Sequence, residues 1–214
     1  MRHYALAVLF ILAILSGNCQ QLNINDKVPD ITLGKILNWK ADTLRLLALG
    51  KKLIILDFWS FNCLACLQAF PEIDSLQKKF DNDIQFIGVN NESTAMTKKF
   101  IENHPQIHFP AIPFVTGDTA LSKFFPRAFS PWHVWIDSSL EVRFITDGYN
   151  ATSSHIRNFL NRTNTFDGGF EPDFTVIYPL LVVQDYMYEV VGLNKLLNVF
   201  LTMKFPNCGP EALM

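Results

Sequence analysis

The sequence is poor in charge and neither sign prevails: 18 Lys and Arg stand against 20 Asp and Glu in 214 residues, a formal charge of −2. A near-neutral chain has no field that gathers phosphate backbones or anionic membrane surfaces, which argues against nucleic acid as a partner. Internal repeats and low-complexity tracts are lacking. So is any apolar run long enough for a permanent membrane span, the longest being the eleven residues from Ala5 to Leu15. What is abundant is apolar side chain. At 49% apolar against 18% charged residues the chain has material for a buried core, enough for one good-sized domain with an appendage. The 19 Phe are scattered along the whole chain and read as core filler, not as a stacking platform for bases.

The amino terminus has the layout of a secretory signal: a short basic start, the apolar run, then Ser16, Gly17, Asn18 and Cys19. Residues 1–18 are read as this signal segment and 19–26 as a polar linker. Leu15 to Cys19 resembles a bacterial lipoprotein cleavage box, although Asn18 occupies a position where a small residue is expected. Acylated Cys19 would anchor the chain to a membrane; cleavage by an ordinary signal peptidase is the other reading. Either route places the chain in the periplasm or cell envelope, an oxidising compartment in which cysteines carry disulfide chemistry.

Beyond the linker, Lys27–Leu33 and Thr43–Leu46 read as a leading hairpin. Leu53–Trp59 reads as a strand buried on both faces. From Leu64 to Phe80, the apolar residues Leu67, Phe70, Ile73, Leu76 and Phe80 recur at helical spacing, with Pro71 inside the pattern as an expected kink. Ile84–Val89 follows as a second buried strand, and Ser93 can cap a helix ending before Pro105. Phe109–Val115 is read as a further strand and Ala120–Phe125 as a helical turn. Trp132–Asp137 and Glu141–Ile145 form a hairpin about a two-residue turn at Ser138 and Ser139, and Ser153 or Ser154 starts a last helix. The expected domain is α/β, a central mixed sheet flanked by helices over residues 27–163. Residues 164–214 form an extension of unassigned role. Within it, 190–204 is apolar nearly all round and needs a covering surface.

The chemistry lies at Cys63-Leu64-Ala65-Cys66, where the buried strand gives way to the helix. A cysteine in the first helical turn faces unpaired N–H groups and the positive end of the macrodipole, which favour thiolate over thiol. Lowering a thiol from its reference value of ~8.5 to about 7 takes roughly 2 kcal/mol, the upper end of what a helix terminus supplies. Cys63 is therefore the expected nucleophile. Cys66, one turn later and more buried, is the resolving thiol.

On these residues the chain resembles the thioredoxin superfamily, and within it the exported, membrane-associated thiol-disulfide oxidoreductases similar to TlpA and ResA. The resemblance covers residues 27–163. It implies that Asp57, in the strand before the motif, is the buried acid that exchanges protons with the resolving cysteine. It implies a cis bond at Ser130-Pro131, where backbone beside the cysteines pairs with an extended substrate segment, and it places Pro71 at the family's helix kink. Protein substrates with cysteines or disulfides follow, apocytochromes and other exported proteins among them, together with a thiol protein that donates or accepts electrons. No metal or organic cofactor is required. Two departures stand out: Asn62 replaces the usual Trp before the first cysteine, and Leu64-Ala65 replaces Gly-Pro or a similar pair, which leaves the direction of electron flow open.

The same residues admit other readings. The cysteine pair can be a structural bridge or half a zinc site, but His104 and His108 lie far from it in sequence and Pro105 opposes a helix that would align their rings. A peroxiredoxin-type peroxidase shares the fold, but Trp59-Ser60-Phe61-Asn62 has neither the proline nor the threonine that precede its nucleophile. A non-enzymatic interaction module of the cell envelope is the remaining alternative. His133 reads as a half-buried strand residue, and Cys208 as a thiol unpaired with the active pair.

Overall fold

The computed structural model describes residues 21–127 and 130–163. Residues 1–18, read as a signal segment, Cys19, Cys208 and the stretch from 164 onward lie outside the described residues. Eight strands and four α-helices follow one another: β1 (Thr32–Gly34), β2 (Ile36–Leu37), β3 (Thr43–Arg45), β4 (Leu53–Phe58), α1 (Leu64–Lys79), β5 (Ile84–Val89), α2 (Thr94–Asn103), β6 (Phe114–Val115), α3 (Leu121–Phe124), β7 (Trp132–Asp137), β8 (Val142–Asp147) and α4 (Ser153–Leu160). The main sheet has the order β2-β6-β5-β4-β7-β8, and β1 pairs with β3 in a separate ribbon. β4, β5 and β6 run parallel to one another, whereas β7 is antiparallel to β4 and β8 to β7. The sheet is thus mixed, as the alternation of strands, helices and a closing hairpin requires.

Every residue of β4 and β5 is buried, which is why these strands read as unbroken apolar runs. On one face Leu53 and Ile55 pack with Phe70, Ile73 and Leu76 of α1, Trp135 of β7 and Ile156 of α4. The helical stripe therefore has its mate in the central strands. α1 runs on through Pro71, which has no N–H to give to the preceding turn.

Three local expectations are corrected. The strand expected over Phe109–Val115 shrinks to Phe114–Val115, since Pro110 and Pro113 lack the N–H a ladder needs. The turn between β7 and β8 is longer than two residues: Asp137 Oδ1 accepts from the backbone N of Ser139 and of Glu141, and Leu140 has φ 64°. The last helix, α4, starts at Ser153 as expected, and Thr152 caps it with a hydroxyl that accepts from His155 N. Residues 21–26, read as linker, are docked on the domain. Leu22 is buried and donates to Phe124 O at 2.8 Å, and Asn25 N donates to Val142 O at 2.7 Å.

One buried acid ties α1 to the loop ahead of β6. Asp74 accepts from Lys78 Nζ at 2.6 Å, His108 Nε2 at 2.8 Å and Ala111 N at 3.1 Å. Burial alone would raise its carboxyl, but these hydrogen bonds outweigh it and hold the group down at about 2, against an ordinary 3.8. A depressed folded value means that the stabilisation is complete above the unfolded value and disappears as pH falls through the folded one. Asp74→Asn is expected to lower the melting temperature at pH 7 by roughly 5 °C, about 2 kcal/mol of charge-assisted bonding. The gap between wild type and variant should close as pH falls from about 4 to about 2; thermal melts across that range check it.

Candidate active site at the end of the central strand

The last turn of sheet before the cysteines is held by Trp59 N, which donates to Val89 O at 3.0 Å and extends the β4–β5 pairing past Phe58. Cys63 N then donates to Ser60 O at 3.1 Å, closing a turn that delivers Cys63 to the N-cap of α1. Its Sγ accepts from Cys66 N at 3.1 Å, so the sulfur occupies the capping position itself. The first turn holds no acidic residue, and Lys78 and Lys79 close the last turn, so nothing in the first turn opposes a negative charge at Cys63. Cys63 and Cys66 are joined as a disulfide, Cα to Cα 5.3 Å. Cys66 is 1% exposed while Cys63 is partly open, and Leu64 between them is 67% exposed. Only one sulfur of the pair faces an incoming partner.

Asp57 is buried, as the resemblance implies. Strand alternation puts its side chain on the face of Ile55, the face that Cys66 and α1 cover. In the β4–β7 ladder it stands directly opposite His133, whose Nε2 lies 3.2 Å from Asp57 Oδ1. His133 is 1% exposed, which corrects the expectation of a half-buried strand residue. Arg127 approaches from the loop after α3, its guanidinium 4.3 Å over the ring of Phe58 and bonded to Ser122 Oγ at 3.2 Å. Burial lowers its pKa below the ordinary arginine value, opposed by the charges of Asp118 and Asp57.

The Ser130–Pro131 bond is cis. Since Phe58 pairs with Trp132, Pro131 sits one residue past the end of β4, at the edge of the sheet from which the chain leaves for Cys63. Gly148 N donates to Pro131 O at 3.1 Å. A Cβ at Gly148 would lie 2.3 Å from Pro131 Cβ, so only glycine fits against this rigid ring. Gly148→Ala is expected to displace the Pro131 backbone and cut turnover of a protein disulfide roughly tenfold to 100-fold, leaving attack on a small aromatic disulfide largely intact. Parallel assays with insulin and with Ellman's reagent check the split.

Cys63, Cys66, Asp57, Ser130 and Pro131 thus gather at one end of β4 and β7. His104 and His108 are engaged elsewhere, His104 with Phe100 O and His108 with Asp74. His133, Arg127 and Gly148 are not among the residues that the sequence assigns to a site. The one available hint was an ionisable residue two positions after Pro131 in an otherwise apolar strand.

The AhpC/TSA family matches residues 24–120. The thiol-disulfide oxidoreductase YkuV of Bacillus subtilis is 22% identical over 130 residues, 59% of this chain and 87% of that protein. Among solved structures, the exposed lipoprotein thioredoxin of Streptococcus pneumoniae superposes with a TM-score of 0.51 at 18% identity, over 62% of this chain and 98% of that one. The C-terminal domain of a thiol-disulfide oxidoreductase from Bacteroides thetaiotaomicron superposes with a TM-score of 0.53 at 14% identity, over 66% and 98%. The fold is thioredoxin-like.

Proposed function

We propose that this chain, a thioredoxin-superfamily protein, is a thiol-disulfide oxidoreductase that exchanges disulfides with exported proteins through Cys63 and Cys66. The observation that carries the reading is the asymmetry of the pair: Cys63 caps α1 and is open, Cys66 is sealed behind it. In the reduced protein the Cys63 thiolate attacks a substrate disulfide, expelling one substrate thiolate and leaving a mixed disulfide. The substrate segment lies along the Ser130-Pro131 backbone. Asp57 takes the proton of Cys66, whose sulfur then attacks Cys63 Sγ, releases the second substrate thiol and leaves the Cys63–Cys66 disulfide. Run in reverse, the same steps oxidise a dithiol. A thiol protein that renews the starting state is the required partner, and apocytochromes are among the fitting substrates.

The secretory layout of residues 1–18 supports export to the periplasm or cell envelope, with Cys19 as the anchoring point if acylated. Among the described residues no helix is long and apolar enough to cross a membrane. Reduction of insulin by the purified protein with a recycling thiol, together with the Cys63–Cys66 reduction potential, tests the reading. Turnover well above that of the recycling thiol alone is expected; an inert wild type would favour the non-enzymatic interaction module.

A further inference from the structure

Buried polar atoms in folded proteins are almost always hydrogen-bonded, and each one left open costs about 1–3 kcal/mol. Two such atoms sit on facing residues here. Asp57 Oδ2 and His133 Nδ1 are buried without a partner among the described residues, while Oδ1 and Nε2 of the same residues meet at 3.2 Å. Both residues are 1% exposed. A strand reading Trp132-His133-Val134-Trp135 could carry an aliphatic residue at 133 and avoid burying a ring nitrogen without a partner. Resting on the disulfide-exchange reading, we propose that His133 is a positioning residue for the resolving step: it donates Nε2–H to Asp57 Oδ1 and so holds the carboxylate with Oδ2 free to take the proton of Cys66.

A carboxylate oxygen only accepts, so with Asp57 ionised the hydrogen between the two groups resides on Nε2. Cys66 packs into the cluster that contains Ile55 and Trp59, the residues two before and two after Asp57. The open oxygen therefore belongs to the face that Cys66 covers. Other groups around the pair add little competing acid or base. On β5 the residue opposite Asp57 is Gly88, and Phe86 places its ring 6.3 Å from that of His133. On β8 the residue opposite His133 is Thr146, whose hydroxyl is bonded to Asp147 O and Trp135 Nε1. From outside the sheet, the Arg127 guanidinium interacts electrostatically with Asp57 and with Asp118. The step balances within the site. The S–H proton of Cys66 passes to Asp57 Oδ2, its electron pair forms the new bond to Cys63 Sγ, and the substrate sulfur leaves with the pair of the broken bond.

The test uses the full chain with Cys19 and Cys208 replaced by serine, reduced and mixed with Ellman's reagent in rapid-mixing experiments between pH 5 and 9. Two releases of aromatic thiol report attack by Cys63 and then resolution by Cys66. His133→Leu is expected to leave the first release unchanged, slow the second at least about tenfold near pH 7 and displace its pH profile. His133→Gln, whose amide can still donate to Oδ1, should recover most of the rate. A second release in His133→Leu that follows wild type at every pH overturns the proposal. So do equal slowing by Leu and Gln and an unshifted profile, which would make His133 a packing residue. If the leucine variant does not fold, ¹⁵N spectra of the wild-type imidazole decide: a hydrogen on Nε2 that responds to Asp57→Asn is expected, and a ring protonated at Nδ1 alone refutes the proposal. A wild type that gives only one release would sink the exchange reading and this inference together. Two releases with an indifferent His133→Leu would sink the inference alone.

Discussion

Cys66→Ser is expected to leave the protein covalently joined to its disulfide partner, while Cys63→Ser abolishes exchange, both lowering multiple-turnover reduction on the order of 10³-fold or more. The two losses differ in kind because the sulfurs differ in place. Cys63 caps α1, bonded through Sγ to Cys66 N and partly open, so it alone can meet a partner. A serine hydroxyl in that seat is no nucleophile at neutral pH, and nothing begins. Serine at 66 leaves the cap and the open sulfur in place but removes the group that would displace the captured thiol, so the reaction halts after its first half. Non-reducing electrophoresis of whole-cell extracts carrying Cys66→Ser should show adducts that a reductant removes and that are missing with both cysteines replaced. Recovery of no adduct would count against the mechanism.

What was legible in the sequence is what local pattern encodes. The buried run of β4, the three- and four-residue steps of α1, the Ser93 cap, which accepts from Met96 N, and the cysteines at the strand-to-helix junction each announce themselves within a dozen residues. Asp57 was legible because apolar neighbours on both sides predict burial. What escaped depends on register or on distant contacts. β2 is two residues long and exists only because Ile36 and Leu37 meet Val115 and Phe114 at the sheet edge. The pairing of Asp57 with His133 spans 76 positions and follows from the offset of β7 against β4; a slip of one residue would send His133 to the other face. The bond between Asp74 and His108 spans 34 positions, joining a helix to a loop that local propensity says nothing about. Leu140 was opaque for another reason, since a positive φ at leucine is imposed by the hydrogen bonds of the loop around it.

Trp59→Ala is expected to destabilise the domain by about 4 kcal/mol, among the largest effects a single core substitution has here. Trp59 is 1% exposed, and the rings of Phe61, Phe70, Phe100, Phe109 and Phe114 surround it at centroid distances between 5.3 and 6.3 Å. These neighbours come from α1, α2, β6 and the loops between them, so a cavity here cannot close without moving several elements at once. Against a typical domain stability of about 5–15 kcal/mol, the loss places the melting temperature more than roughly 10 °C lower. Trp59→Phe separates the causes. It forfeits part of the ring contact but also removes the indole Nε1–H, which is buried without a partner among the described residues. The second effect offsets much of the first, so the phenylalanine variant should lose no more than about 1–2 kcal/mol. Denaturant unfolding with an unchanged slope checks both values. Because Trp59 stands between β4 and the turn that delivers Cys63, a stable Trp59→Phe protein should still reduce insulin. A phenylalanine variant as unstable as the alanine one would mean that the indole edge, not the aromatic cage, holds this end of the sheet together.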